Sequence, residues 1–433
     1  MGGPCLSRAM SDMAAARFPP ALSLEPKANA RLMKACAESF LWKVLRRANN
    51  VAQVIARAVD DAGLGIVTNV PGFGGTQVLA ECLKITRSVH PISLHEEVAY
   101  SIAHGASLLG QRSATLVKAH GFAKAANAVI DSLSAGTTAG FVVMIFDDKL
   151  GEHSDSVFDV TALLRGLGMP YRVLQPRHAY LDVLDAFRRS EELRLPIVLV
   201  VDADDLDQAA EYSPVRKRAP SPSYRRDVSQ HVVCPPLAQY QHRVLETKLS
   251  EQDWHLIKKP TLPRIPDDLP EAFQPTARSY VPLFEVFRKL RGRIVTGDTG
   301  ISMLFAFPPY DCIDVGTYMG GSIPLAIGAY MAGYHDAWAL TGDFSFVAAG
   351  HLGLVEATNR GIPMKVLVFA DGKAAATGGQ PLQDRVLDCV LRGYEPYVRR
   401  ISNPQDRAEV EAILKEATHT REMRIVLADY RER

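Results

Sequence analysis

The sequence predicts an α/β protein built from two doubly wound parallel-sheet domains joined by a long linker. Up to about residue 205, short apolar runs such as "GIVTNV", "SVHPIS", "FVVMIF" and "PIVLVV" alternate with helical stretches. After about residue 280 the alternation returns with "GRIVTGDTG", "AWALTGD", "MKVLVFADG" and "MRIVLADY". Uninterrupted Val, Ile and Leu runs are typical of strands that helices cover on both faces of a parallel sheet.

The same alternation sets the expected domain limits. We expect a disordered tail over residues 1–28, a first α/β domain over 29–205, a linker over 206–279 and a second α/β domain over 280–433. The start of the linker mixes Pro, Ser and Arg without periodicity, which is typical of a solvated connection. Its basic cluster has almost no interleaved aromatic side chains, so RNA binding is the less favoured alternative.

The composition argues against several classes of protein. The 433 residues are 47% hydrophobic and carry a formal net charge of +1, so no overall field attracts nucleic acid or an acidic membrane. No apolar run approaches the roughly 18 residues of a membrane span, and we expect a cytoplasmic protein. The six cysteines lie far apart without a C-x-x-C pair, which argues against zinc ribbons and self-contained iron–sulfur sites.

Two acidic residues follow two successive buried strands of the second domain. Asp343 ends "AWALTGD", and Asp371 comes 28 residues later, directly after "MKVLVFA". Because ligands of an open parallel sheet sit at the carboxyl ends of its strands, both carboxylates should project into one crevice. Carboxylates suit Mg²⁺ and the N–H groups of a helix start suit a phosphate, so the pattern predicts a magnesium-bridged diphosphate. The alternative is that these residues only form turns and caps.

These stretches resemble the diphosphate motif of thiamine-diphosphate enzymes, in which "GD" is followed after a fixed interval by further metal-binding groups. The chain is most similar to the thiamine-binding subunit of indolepyruvate ferredoxin oxidoreductase and, more distantly, to phosphonopyruvate and sulfopyruvate decarboxylases. The matching stretches are "TNVPGFGGT", "HEEVAYSIAHGASLLGQRS", "FDDKLGEHSDS", "VVCPPLAQYQHRVL", "IVTGDTG", "FPPYDCIDVGTYMGGSIPLAIGAY", "LTGDFSF" and "ATGGQP". The resemblance implies the thiamine-diphosphate-binding fold, with a pyrimidine-binding domain followed by a diphosphate-binding domain.

The resemblance implies two cofactors, thiamine diphosphate and Mg²⁺, in the second domain. The metal ligands would be the side chains of Asp343 and Asp371 and the carbonyl of Lys373. Asp371 departs from the usual Asn, and its extra carboxylate beside a diphosphate should be repelled unless the cation compensates. Other residues that would face the diphosphate or the substrate are Gly342, Phe344, Ser345, Thr299 and Thr377.

The stretch "TYMGGSIPLAIGA" resembles the segment that clamps the aminopyrimidine ring and bends the cofactor. Ile323 would be the bulky buttress beneath the bend, and the carbonyl of Gly321 would accept a hydrogen bond from the 4′-amino group. Without the flanking motifs, this stretch would be interpreted as a Gly-rich turn before a helix.

Glu96 opens the helix that follows "SVHPIS". An acid in a first helical turn usually interacts with the helix dipole, and Glu97 fits that role equally well. The resemblance instead implies that Glu96 donates a proton to N1′ of the aminopyrimidine, so that the 4′-imino group can remove the C2 proton and form the ylid. It also implies a homodimer in which Glu96 faces the diphosphate domain of the other subunit, with a dimer of dimers as the alternative assembly.

Two histidines are further candidates for proton transfer. His120 is predicted to end the strand "SATLVKAH" and to point toward the cleft. His153 lies in "KLGEHSDS", which resembles a His-Ser loop of the oxidoreductase family. Solvent-facing or structural roles are the alternative for both side chains.

The reaction implied by the resemblance is ylid attack on the carbonyl of a 2-oxo acid, followed by loss of CO₂. The oxidoreductase subunit carries a cysteine-rich ferredoxin domain, whereas this sequence ends at "VLADYRER" without such a cluster. We therefore expect non-oxidative decarboxylation, with carboligation as an extension. An oxidoreductase subunit that needs a separate redox partner and a non-catalytic cofactor-binding protein are the alternatives.

Overall fold

The computed structural model describes residues 49–85, 91–214 and 221–431. The predicted tail over residues 1–28 and the expected start of the first domain lie outside these ranges. The expected domain limits therefore remain predictions, and the structure is described below by its two sheets.

The first sheet has five parallel strands in the spatial order β1-β2-β3-β5-β4. The strands are β1 Ile66–Asn69, β2 Ser113–Lys118, β3 Phe141–Asp147, β4 Tyr171–Val173 and β5 Ile197–Asp202. The helices are α1 Val51–Asp61, α2 Gly75–Ile85, α3 Glu96–Leu108, α4 Ala119–Lys124, α5 Ala126–Ala135, α6 Val160–Gly166 and α7 Ala179–Leu193. Every residue of β3 is buried, as expected for a central strand covered on both faces.

The segment predicted as a linker contains two helices, α8 Val228–His231 and α9 Pro235–Leu249. Helix α9 buries Leu237, Tyr240 and Val244, which are spaced three and four residues apart and so lie on one helical face. The amide of Gln241 donates to the carbonyl of Val232 at 3.0 Å and so ties α9 to the end of α8.

The second sheet has six parallel strands in the order β10-β11-β9-β8-β6-β7. The strands are β6 Val295–Asp298, β7 Val315–Thr317, β8 Trp338–Gly342, β9 Lys365–Ala370, β10 Val398–Ile401 and β11 Arg424–Asp429. The helices are α10 Gln274–Leu290, α11 Ser322–Met331, α12 Asp343–Ser345, α13 His351–Asn359, α14 Asp384–Leu391 and α15 Arg407–His419. A π-helical turn, Phe346–Gly350, joins α12 to α13. The predicted fold class, two parallel α/β sheets, is confirmed.

The order of the second sheet creates a crevice at the carboxyl ends of β6 and β8. After β6 the chain adds β7 on one side, and then crosses to add β8 on the other side. The connections leave these two neighbouring strands in opposite directions, which is the usual position of a ligand site in open α/β sheets. Thr299 follows β6 directly, and Gly342 ends β8.

Helices α3 and α11 connect the two sheets by close backbone packing. A Cβ atom on Gly105 would lie 2.5 Å from the carbonyl oxygen of Leu325, and one on Gly328 would lie 2.2 Å from that of Ile102. Only glycine permits this approach. Glu96, in the first turn of α3, and Ile323, in the first turn of α11, therefore belong to two helices that pack directly against each other.

The predicted strand "SVHPIS" differs from the structure. Its first three residues lie outside the described ranges, and residues 91–93 are not in a strand. Pro91 has no N–H to donate to a sheet ladder. The segment instead bonds to α13: the Leu94 N–H donates to the Glu356 carboxylate at 3.1 Å, and the Arg360 guanidinium donates to the Ser93 hydroxyl at 2.8 Å.

Candidate active site

A cavity of about 100 Å³ lies in the crevice at the ends of β6 and β8. The sequence-predicted residues that line it are Thr299, Gly342, Asp343, Phe344, Ser345, Asp371, Lys373 and Thr377. Residues that sequence reasoning did not single out include Tyr280, Gly300 and Met319. Thus one cavity brings together eight of the ten residues predicted to bind the cofactor.

The Asp343 carboxylate is held at the start of α12, at the bottom of the cavity. It accepts the N–H of Phe344 at 2.7 Å and the N–H of Gly372 at 2.8 Å. The Asp371 carboxylate follows β9, the adjacent strand, and accepts the N–H of Lys373 at 3.2 Å. Asp343 is therefore oriented by N–H groups of α12 and of the loop that follows β9, and Asp371 is oriented by an N–H group of the same loop.

The surroundings of the Asp343 and Asp371 carboxylates disfavour their charged forms. Burial, and then the neighbouring Asp371 carboxylate, raise the pKa of Asp343 to about 6. Burial also raises the pKa of Asp371. Two adjacent carboxylates, Asp343 buried and Asp371 half-buried, are not both stable as charged groups without a counter-ion, so the pair takes up either a proton or a cation.

Two glycines leave open space over the acids. A Cβ atom on Gly342 or on Gly300 would meet no atom within 4 Å. Gly342 is extended, with φ −81° and ψ 159°, so its lack of a side chain is not required by its backbone conformation. The space above these residues, next to the start of a helix, has the form of a cradle for an anionic group.

The clamp segment lies beside the cavity, with Met319 in its wall. Ile323 has no solvent exposure and packs against Gly353, where an added Cβ would lie 2.7 Å from the Ile323 side chain. Gly321 is buried beneath the ring of Tyr318. The Tyr318 hydroxyl is 2.7 Å from the hydroxyl of Ser101 on α3. Gly321 and Ile323 thus adjoin the cavity rather than line it.

Glu96, His120 and His153 meet in a second cleft of about 220 Å³, which shares no lining residue with the first cavity. The Glu96 carboxylate lies 3.0 Å from the Lys124 ammonium, and its buried Oε2 atom has no well-aligned hydrogen-bond partner among the described residues. Gly121 presses against this side chain, since an added Cβ would lie 2.7 Å from the Glu96 Cγ. The Glu96 carboxylate therefore lies in the wall of the cleft, paired with the Lys124 ammonium.

The histidines are held by different elements. His120 is not at a strand end: β2 stops at Lys118, and His120 lies in α4, because the chain turns into a helix directly after the strand. Its Nε2 is 2.9 Å from the Ser156 hydroxyl. His153 lies in a loop. Its backbone N–H donates to the Asp148 carboxylate at 2.8 Å, and its backbone carbonyl accepts a hydrogen bond from the Lys118 ammonium at 2.6 Å.

Two kinds of feature, a metal-binding cluster and a membrane-spanning helix, are not found among the described residues. Within the described ranges, no group of three or more His, Cys, Asp or Glu side chains could hold a metal ion. The candidate magnesium site needs fewer, because two carboxylates would be completed by a carbonyl, phosphate oxygens and water. Separately, none of the helices in these ranges is long and apolar enough to cross a membrane.

Sequence reasoning missed two polar residues near the cavity. Tyr280 lies on α10, and its hydroxyl is 3.5 Å from the Asp371 carboxylate, a contact that no local pattern signals. Asp298 ends β6 within "TGDTG" and is buried. The second Gly-Asp pair at a strand end is a sequence signal for Asp298, whereas the sequence analysis names only Thr299, the residue that follows it.

Comparisons with known proteins agree with this geometry. Residues 297–426 match the family described as "Thiamine pyrophosphate enzyme, C-terminal TPP binding domain". The indolepyruvate oxidoreductase subunit IorA of Methanothermobacter thermautotrophicus is 27% identical over 206 residues, which are 46% of this chain and 33% of that protein. The match thus spans about a third of the length of this curated relative.

Solved structures share the fold. A putative thiamin diphosphate-dependent enzyme from Mycobacterium smegmatis aligns with a TM-score of 0.61 at 14% identity, covering 89% of this chain and all of that one, 100%. The thiamine diphosphate-dependent 4-hydroxybenzoylformate decarboxylase of Rhodococcus jostii RHA1 aligns with a TM-score of 0.59 at 15% identity, covering 87% and 98%. The resemblance inferred from the sequence is therefore confirmed: residues 297–426 match the thiamine-diphosphate-binding domain family, and the chain is similar to the indolepyruvate oxidoreductase subunits.

Proposed function

We propose that the protein is a thiamine-diphosphate- and Mg²⁺-dependent enzyme that decarboxylates a 2-oxo acid. The observation that carries the proposal is the carboxylate pair Asp343 and Asp371 beneath the open space over Gly342, within the matched TPP-binding region. A magnesium ion bound to a diphosphate satisfies both features at once.

In this proposal Asp343, Asp371 and the Lys373 carbonyl hold the cation. The raised pKa of Asp343 fits this role, because a divalent cation offsets the repulsion that raises it. Asp371, where Asn is usual, places one more negative charge in the site than the family pattern has. The cation then matters more for cofactor binding than it would with an amide at this position.

When bound, thiamine diphosphate supplies a nucleophilic carbon that adds to the 2-oxo acid carbonyl and accepts the electron pair left by departing CO₂. Glu96 donates a proton to N1′ of the aminopyrimidine, and the Gly321 carbonyl and Ile323 orient that ring. His120 and His153, at the other side of the Glu96 cleft, hold or transfer protons at the substrate oxygen atoms.

The separation of the two clefts supports a homodimer with shared active sites. Within one chain the Glu96 cleft and the carboxylate cavity have no lining residue in common. A two-fold related copy would place each cleft against the partner's cavity and so complete two sites. A subunit that cannot pair is then inactive.

Two fates of the decarboxylated product remain distinct proposals. The fold shared with 4-hydroxybenzoylformate decarboxylase supports protonation without an electron acceptor, with carboligation as an extension. The similarity to an indolepyruvate oxidoreductase subunit supports oxidation through a separate redox partner. We favour the non-oxidative reaction, because it needs no co-reactant beyond the cofactor, the cation and the 2-oxo acid.

A panel of 2-oxo acids with branched, aromatic and acidic side chains tests this function. The protein is incubated with thiamine diphosphate and Mg²⁺, and CO₂ release and products are followed by mass spectrometry, with and without ferredoxin or a dye acceptor. Release without an acceptor is the expected result. Strict dependence on an acceptor would favour the oxidoreductase alternative, and cofactor binding without C2 hydrogen exchange would favour a non-catalytic binding protein.

A further inference from the structure

The Asp298 carboxyl joins the strand end of β6 to the clamp segment. It has no solvent exposure and immediately precedes Thr299 and Gly300, which line the cavity. Its Oδ2 accepts the N–H of Gly320 at 2.9 Å and the hydroxyl of Ser322 at 3.3 Å. Its Oδ1 is buried without a hydrogen-bond partner among the described residues.

A third segment also reaches this carboxyl. The Thr341 hydroxyl lies beside Asp298 and has two acceptors within reach of its one hydrogen, the Asp298 carboxyl and the carbonyl of Gly342 at 3.2 Å. Gly342 is the residue directly before the candidate metal ligand Asp343. One side chain therefore contacts both the clamp and β8, the strand that leads into Asp343.

These contacts favour a neutral acid over a carboxylate. As a neutral acid, Asp298 accepts from Gly320 and Ser322 through Oδ2 and directs its own O–H from Oδ1 toward the Thr341 oxygen. As a carboxylate it would leave the buried Oδ1, among the described residues, with no donor other than the Thr341 hydroxyl, whose one hydrogen is also accepted by the Gly342 carbonyl.

The charges around Asp298 agree with this assignment. Burial raises the pKa of Asp298 to about 7, against the opposing hydrogen bonds of Thr341, Gly320 and Ser322. The titratable side chain that faces it is Tyr318 of the clamp, whose own pKa is raised first by burial and then by carboxylates that include Asp298. A tyrosine hydroxyl carries no positive charge to pair with an ionised Asp298.

We propose that Asp298 is a positioning residue that, as a neutral acid, locks the clamp segment to the diphosphate-binding strand ends. The proposal rests on the proposed thiamine-diphosphate site and gives a role to a residue that does not itself line the cavity. Ionised Asp298 breaks the lock, because its Oδ1 has to draw in water or a new donor from the clamp. It also places a negative charge one residue from Thr299, in the wall of an anion-binding cavity.

The physical consequence is a cofactor affinity that depends on pH. Binding that requires neutral Asp298 weakens as pH rises through the pKa of this group, by up to about tenfold per pH unit above it. Asn at position 298 reproduces the neutral acid: its carbonyl oxygen accepts from Gly320 and Ser322, and its amide donates to Thr341. The affinity of Asp298→Asn for the cofactor should therefore not decrease as the pH rises.

The test compares the wild-type protein with Asp298→Asn and Thr296→Val. Thr296 lies on the same strand, and its hydroxyl donates to the Ser322 carbonyl at 2.7 Å, so this variant loosens the clamp without removing an ionisable group. Dissociation constants for thiamine diphosphate are measured by calorimetry at saturating Mg²⁺, from about pH 6.5 to about pH 8.5. The cofactor's own ionisations are the same for all three proteins, so differences between the profiles belong to the protein.

We expect the wild-type affinity to fall by about tenfold over the upper part of this range and the Asp298→Asn affinity to stay level. Thr296→Val should bind more weakly at every pH and keep the wild-type slope. Parallel wild-type and Asp298→Asn profiles, or a weaker Asp298→Asn at low pH, would overturn this inference alone. Failure of the wild-type protein to bind the cofactor at any pH would overturn the proposed function and this inference together.

Discussion

The carboxylate cavity of the second sheet and the Glu96 cleft of the first sheet differ in charge and in origin. Asp343 and Asp371 are oriented by backbone N–H groups within one strand-end crevice, and each raises the need for a cation. Glu96 instead sits among Lys118, His120 and Lys124, with side chains supplied by several elements and a loop.

This difference teaches that the two sites perform separable tasks. An acidic cavity anchors an anion only through a cation, whereas a cleft with bases around one carboxylate is suited to proton transfer and to a substrate carboxylate. The account therefore predicts variants that lose turnover but keep the cofactor, and variants that lose the cofactor first.

The largest effect is expected for Glu96→Gln. Removing the acid at N1′ should lower kcat by at least about a hundredfold, because acid–base catalysis contributes on that order. Cofactor affinity, measured by calorimetry, should change little. Glu97→Gln is the matched control: Glu97 is the adjacent acid, it is not among the residues lining the cleft, and its pKa is raised by burial. Equal losses in both variants would contradict a specific role for Glu96.

The next effect concerns the cation. Asp343→Asn should weaken Mg²⁺-dependent binding of thiamine diphosphate by at least about tenfold, because it removes one of two charged metal ligands. Asp388→Asn is the control, because Asp388 on α14 has a side chain that is 66% exposed and does not line the cavity. Unchanged binding in Asp343→Asn would remove the metal assignment.

Mixing these two variants tests whether the cleft and the cavity belong to different subunits. Each homodimer, Glu96→Gln or Asp343→Asn, is inactive, but half of randomly mixed dimers are hybrids with one intact site. Recovery of about a quarter of the wild-type activity is therefore expected after co-refolding or co-expression. No recovery, with hybrids demonstrated by mass spectrometry, would show that both residues act within one chain.

Lowering the pH should weaken the cation site. The pKa of Asp343 is raised to about 6, so the group is protonated below that value and protons compete with Mg²⁺. The Mg²⁺ concentration needed for half-saturation of cofactor binding should rise by several-fold between about pH 7 and about pH 5. The stability of the metal-free protein should change in the opposite direction. Because the pKa of Asp343 is higher in the folded protein, at about 6, than in the unfolded chain, the folded state gains stability as the pH falls from about 6 toward the unfolded-state pKa. A half-saturating concentration independent of pH would contradict this description of the pair.

The smallest effect is expected for Asp371→Asn, which restores the residue usual in the family. It removes a half-buried carboxylate next to the buried Asp343 and should increase the unfolding free energy of the metal-free protein by about 1 kcal/mol near neutral pH. Urea unfolding in the presence of a chelator measures the change. A loss of stability would mean that the Lys373 N–H and the Tyr280 hydroxyl require a charged acceptor.

The parallel strands of both sheets could be predicted from sequence because strands buried on both faces have continuous apolar runs, as in β3 and β9. The carboxylate cavity could be located because Asp343 and Asp371 each follow such a run. The sequence does not predict helix α4, because "KAHGFAK" is too short to show a helical period. The predicted strand therefore extends to His120, whereas the strand in the structure ends at Lys118.

Long-range contacts explain the remaining omissions. The contact between Tyr280 and Asp371 joins residues 91 positions apart, and nothing near either residue signals it. The segment before Glu96 is fixed by Glu356 and Arg360, more than 260 positions later in the chain, which overrides its apparent strand pattern. The pairing of Asp298 with the clamp likewise depends on the order of β6 and β7 in the sheet.

The central claim is that Asp343 and Asp371 bind a cation that holds thiamine diphosphate in the crevice over Gly342. Calorimetric titration of the wild-type protein with thiamine diphosphate, in Mg²⁺ and then in excess chelator, tests it most directly. The account predicts one cofactor bound per chain in Mg²⁺ and loss of that binding in chelator. Absence of binding in Mg²⁺, or equal binding in chelator, would contradict it.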